Sequence, residues 1–83
     1  QNYPNPFNPT TNILFDLPRD SEVIIFIYDI RGALVEELVN GWMEAGYHQL
    51  IWDGNQNSSG IYFIQMIADN GSYQKSMKMS LIK

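Results

Sequence analysis

A chain of 83 residues, 45% apolar and 13% aromatic with 17% charged side chains, can build one core and has none left for a second domain. That composition excludes a disordered tail, and the lack of cysteine excludes a disulfide framework or thiolate metal site, though not secretion. A net charge of −4 argues against a nucleic-acid partner, whose phosphates require a concentrated basic surface.

The chain opens with "QNYPNPFNP", which places prolines at Pro4, Pro6 and Pro9. Such a segment suits an extended edge or lead-in, because missing N–H groups do no harm there. Residues 1–9 therefore read as a linker and 10–83 as the folded domain. Ile13, Phe15 and Leu17 alternate with Asn12, Leu14 and Asp16 in a first strand that Pro18 ends. "EVIIFIYD", Glu22 to Asp29, is a second strand by its β-branched and aromatic content. In "DIRG" the Asp29 carboxylate is suited to accept backbone N–H groups while Gly32 takes the awkward φ angle.

Ala33 to Val39, "ALVEELV", would also suit two helical turns, but seven residues between glycines are short for a helix, and the segment is predicted as a strand. "NGWMEAG", Asn40 to Gly46, is predicted as a loop. Tyr47 to Asp53 is a strand with His48, Leu50 and Trp52 on one face. "DGNQNSSG" is dense in turn formers, and Ile61 to Ala68 is a central strand, a nearly continuous apolar run broken only by Gln65. "DNG" predicts a type I′ hairpin turn. Ser72 to Ile82 closes the chain with Met77, Met79 and Leu81 inward. With a short segment at Tyr3, the sum is about seven antiparallel strands with turns every 8–12 residues, the pattern of an immunoglobulin-like β-sandwich. No apolar run is long enough to span a bilayer, and no leader of signal type is visible. The chain reads as an internal or C-terminal piece of a longer protein.

"NYPNPFNPTTNILFDLP", "IYDIRGALVEELV", "AGYHQLIWDG", "SSGIYFIQM" and "KMSLIK" occur in an order and spacing that resembles the type A C-terminal sorting domain of the type IX secretion system, over essentially the whole chain. The same fold family includes the immunoglobulin-like domain of the flagellar hook-capping protein. The resemblance implies a non-catalytic final module of large secreted enzymes and adhesins of Bacteroidetes-like bacteria. It further implies recognition by outer-membrane secretion machinery, removal by a sortase-like protease, and an upstream cargo domain in the same chain that ends secreted or at the cell surface. "QNYPNPFNP" would then lie at the seam between cargo and signal. One departure stands out: Ile24 and Phe26 fall opposite Val23, Ile25 and Ile27, where that family usually carries a polar residue.

Candidate sites follow from these readings. All nine acids lie at or before Asp69, whereas Lys75, Lys78 and Lys83 follow Gly71 with no acid among them. Together with Met79 and Leu81 they are the candidate translocon-recognition residues. The plainer reading is a solvated edge strand kept from aggregation by its lysines. Ile24, Phe26 and Tyr28 form a candidate patch for packing on an upstream domain, which would make the chain a spacer. Trp42 is the candidate sugar contact of a carbohydrate-binding module. His48 has no visible nucleophile or carboxylate partner. Asp53, Asn55 and Asn57 faintly match a calcium loop but lack its later glutamate and glycine. The Tyr62 hydroxyl is placed to tie a sandwich corner to nearby backbone. No catalytic residue, metal ligand or cofactor is predicted.

Overall fold

The computed structural model describes residues 10–82. Six strands follow in order: β1 (Thr10–Leu17), β2 (Ser21–Asp29), β3 (Leu34–Met43), β4 (Gly46–Asp53), β5 (Gly60–Ala68) and β6 (Tyr73–Leu81). They form two antiparallel sheets, β1-β4 and β3-β2-β5-β6. The expected all-β sandwich is therefore present, and the strand counted at Tyr3 lies outside the described residues.

Alternation places the core. Successive side chains of a strand leave by opposite faces, so Ile13, Phe15 and Leu17 of β1 turn inward to meet Val23, Ile25 and Ile27 of β2 and Tyr62, Ile64, Met66 and Ala68 of β5. β4 contributes Trp52 and β6 contributes Leu81. Each aliphatic side chain buried this fully stabilises by about 1.5–3 kcal/mol relative to exposure.

Two boundaries depart from expectation, and one ladder is irregular. "ALVEELV" is a strand, but it runs on through Met43, so the predicted loop at Asn40–Gly46 shrinks to Glu44 and Ala45 between β3 and β4. Glycine in "NGW" does not stop the strand, because Ile24 and Glu22 of β2 hold Asn40 and Trp42 by pairing. The chain then changes sheets, with the Ala45 N–H donating to the Asp20 carboxylate at 2.8 Å. Second, the ladder between β2 and β3 shifts twice, at Ile25/Phe26 and Ile27/Tyr28, each time leaving an extra residue on β3. Third, the β5–β6 hairpin is closed by four residues between Ala68 and Tyr73, where "DNG" predicted two. Asp69 and Asn70 both adopt φ 55° and Gly71 φ 89°. Asp and Asn tolerate that left-handed region better than most residues, and the Ser72 hydroxyl lies 2.8 Å from both the Asp69 carbonyl and its carboxylate, with its one proton to share between them.

Candidate recognition surfaces

β6 is an outer strand of the large sheet, paired to β5 without a register shift from Ala68↔Tyr73 to Gly60↔Leu81. Its alternation sends Tyr73, Lys75, Met77, Met79 and Leu81 toward the small sheet and Gln74, Ser76, Lys78 and Ser80 outward. The two described lysines therefore leave the strand by opposite faces, although both are exposed. Lys75 lies at the rim of the core, next to Phe15 and Met77.

Leu81 is not part of the readable surface. It is 2% exposed, and its Cδ atoms fill the place where a Cβ on Gly54 would stand, as close as 2.7 Å. Met79 is half-buried. The predicted recognition strip thus divides into two exposed lysines, one partly covered methionine and one core leucine, and Lys83 lies outside the described residues. Removing Met79 to Lys83 would excise core along with surface.

Ile24, Phe26 and Tyr28 do share the outer face of the large sheet, each half-buried by its neighbours. Phe26 and Tyr28 lie with ring centroids 6.0 Å apart. Cross-strand pairing adds Ile67 beside Ile24 and Phe63 beside Tyr28, with Leu34 on the far side of Tyr28. Sequence reading missed these last three, although the period of two along β5 would have placed Phe63 and Ile67 outward. The result is an apolar band across three strands, in which Phe63 is 38% exposed.

Trp42, expected in a loop, stands on β3 opposite Glu22 and is 63% exposed. Tyr47 projects from the small sheet and Trp52 is buried, so the rings do not assemble into one platform. The Trp52 indole N–H donates to the Glu36 carboxylate at 3.0 Å and its ring meets Tyr62 edge-on at 5.1 Å. The Tyr62 hydroxyl in turn donates to the Ser58 carbonyl at 2.6 Å, the corner tie anticipated for it. His48 stacks on Phe15 at 5.3 Å and its Nε2 lies 2.6 Å from the Glu44 carbonyl, a structural setting.

At Asp29 the anticipated turn is formed: one carboxylate oxygen accepts from the N–H of Ala33 at 3.0 Å and of Arg31 at 2.9 Å, while Gly32 takes φ 87°. The Ala33 N–H, followed by the Arg31 guanidinium and N–H, outweighs desolvation and holds this carboxyl below its ordinary value. At Asp53 the carboxylate accepts from the Asn55 N–H at 2.9 Å, which makes "DGNQN" a turn. Among the described residues no group of three or more histidine, cysteine or acidic side chains is arranged to hold a metal, and no helix is long and apolar enough to cross a membrane.

The family model for the secretion system C-terminal sorting domain matches residues 1–80. No curated protein and no solved structure matches the chain.

Proposed function

The chain belongs to the secretion system C-terminal sorting domain family, and from that premise we propose that it carries a larger cargo, joined before residue 1, through the type IX outer-membrane machinery to anchoring at the cell surface. A type IX sorting signal implies export to the outer membrane, the cell surface or the medium as part of a larger protein. The domain's part in this is binding, without chemistry of its own. The single observation that carries the reading is the family match across nearly the whole chain.

In this reading the machinery recognises the exposed cations of β6, Lys75 and Lys78, with Lys83 beyond them. Residues 1–9 serve as the connector to cargo, and a sortase-like protease cuts there after export. A stiff proline-rich connector suits that role, since it keeps two folded bodies apart. The test is to fuse residues 1–83 behind an inert periplasmic cargo in a host with a working type IX system. Cargo at the surface or in the medium is the expected result, and cargo retained in the periplasm would reject the function.

A second reading is supported by the apolar band at Ile24, Phe26, Tyr28 and Phe63: the domain packs as a spacer on the catalytic domain that precedes it. Limited proteolysis of the full-length protein separates the two. A sorting module detaches cleanly between Asn2 and Pro9, whereas a docked spacer resists.

A further inference from the structure

The sandwich turns two sheet faces outward, and both expose apolar side chains. The small sheet shows Leu14, Tyr47 and Ile51. The charged residues on that face are Asp16 and Asp53, both acids, so a second copy laid on it would set like charges together. The large sheet carries both signs. Among the described residues its outward charges are Glu22 on β2, Glu37 on β3 and Lys78 on β6.

Strand pairing arranges this outer face in rows that cross the strands. Ile24 lies beside Ile67, Phe26 beside Gln65 and Tyr28 beside Phe63. Glu37 ends the Phe26 row on β3. The Tyr28 row ends in Leu34 on β3 and Lys78 on β6. An apolar band thus runs down the two middle strands, with a carboxylate at one margin and an ammonium at the other. β1, into which residues 1–9 run, belongs to the small sheet and lies against the opposite face.

Such a face is complementary to itself in one orientation. When two copies are related by a two-fold axis parallel to the strands, β3 of each lies over β6 of the other, and β2 over β5. A two-fold across the strands would lay β3 on β3 and bring Glu37 toward Glu37. In the parallel arrangement Ile24 meets Ile67 of the other copy and Tyr28 meets Phe63, each contact made twice by symmetry. Lys78 lays its alkyl stem over Leu34 of the other copy and carries its ammonium to Glu37, one row further along. Facing sheets stand about 10 Å apart, a gap that a lysine and a glutamate reaching from opposite sides can close.

We infer that the outer face of the large sheet is a self-association surface, on which a second copy of this chain packs about a two-fold axis parallel to the strands. Strands about 4.8 Å apart, over rows from Ile24 to Ile61, give roughly 400 Å² per copy, about half the share of a standard interface. The dimer is therefore weak and reversible. The inference does not rest on the sorting reading, and it takes the band that the spacer reading gives to an upstream domain. Where sorting holds, the dimer hides Lys78, and only the monomer offers both lysines to the machinery.

The test is sedimentation equilibrium of the 83-residue chain at physiological salt, where repulsion between net charges of −4 is screened beyond about 8 Å. The mass should rise from monomer toward dimer between about 10 μM and about 1 mM. Phe63→Thr should keep the circular dichroism and lose the association. Lys78→Glu and Glu37→Lys should each weaken the dimer about fivefold, as two reversed surface pairs allow. The double variant, or an equimolar mixture of the two single ones, should recover it. If Phe63→Thr does not fold, nuclear Overhauser contacts from Tyr28 to Phe63 between labelled and unlabelled copies of the unaltered chain decide the same question.

A monomer at every concentration, a double variant no better than the single ones, or contacts from Tyr3 or Phe7 to Phe26 would overturn the inference. So would a full-length protein that stays monomeric with Phe63 protected, which would give the face to the upstream domain. Failure here with export of the fused cargo intact would remove the dimer and leave the sorting function standing. A dimer whose fused cargo is retained would do the reverse.

Discussion

Leu81 and Gly54 form a contact whose two halves can be tested against each other. Leu81 is almost fully buried at the end of β6, and a methyl group on Gly54 would stand 2.7 Å and 2.9 Å from its two Cδ atoms. Leu81→Ala deletes the atoms that fill that space. The backbone of Gly54 has no side chain with which to collapse into the vacancy, so the cost belongs in the ordinary range for such a deletion, about 2–4 kcal/mol. Gly54→Ala does the opposite and forces a buried leucine out of its rotamer, at about 1–3 kcal/mol. In the double variant the new methyl occupies part of the space that the leucine vacated. The two losses should then sum to at least about 1 kcal/mol less than their separate values, as expected for residues in contact. A chain of this length has roughly 4–12 kcal/mol of stability in all, so each single change should lower the urea midpoint visibly. Strict additivity, or a Leu81→Ala variant as stable as the parent, would refute the placement of the last strand's end in the core.

Other expectations follow from individual contacts. Tyr62→Phe removes the donor to the Ser58 carbonyl and should cost about 1 kcal/mol by urea denaturation without altering the fold. Trp52→Phe loses the bond to Glu36 and leaves a cavity, so its loss should exceed that of Tyr62→Phe when the two are measured side by side. The depressed Asp29 carboxyl contributes stability that is present above its unfolded pKa, near pH 4, and is lost as pH falls through its lower folded value. Asp29→Asn should therefore flatten the acid limb of the stability profile below about pH 4 and leave the neutral region's slope unchanged. Phe26→Thr, on the outer face, should shift stability far less than any inward substitution on β2 while freeing the domain from any upstream body packed there.

The layered plan was legible because β1 and β6 alternate, so that inward Ile13 and Leu81 follow from parity, whereas β2 and β5 are apolar on both faces and declare only that they are strands. Local turn chemistry was legible too, as in the Asp29 carboxylate over Gly32 and the Tyr62 tie. What stayed hidden depends on pairing between distant segments. The bulges in β3 are set by its register against β2, and Asn40 to Met43 becomes strand only because β2 supplies partners for it. The separation of Lys75 and Lys78 to opposite faces was within reach, since their spacing of three is odd. Grouping them by charge concealed it.

Export of the fused cargo with Lys75→Glu and Lys78→Glu introduced together tests most directly whether the machinery reads the outside of an intact sandwich. Both side chains are exposed, so stability should change by no more than about 0.5 kcal/mol each while cargo stays in the periplasm. Undiminished export by this variant, or a loss of export accompanied by unfolding of the domain, would contradict the account.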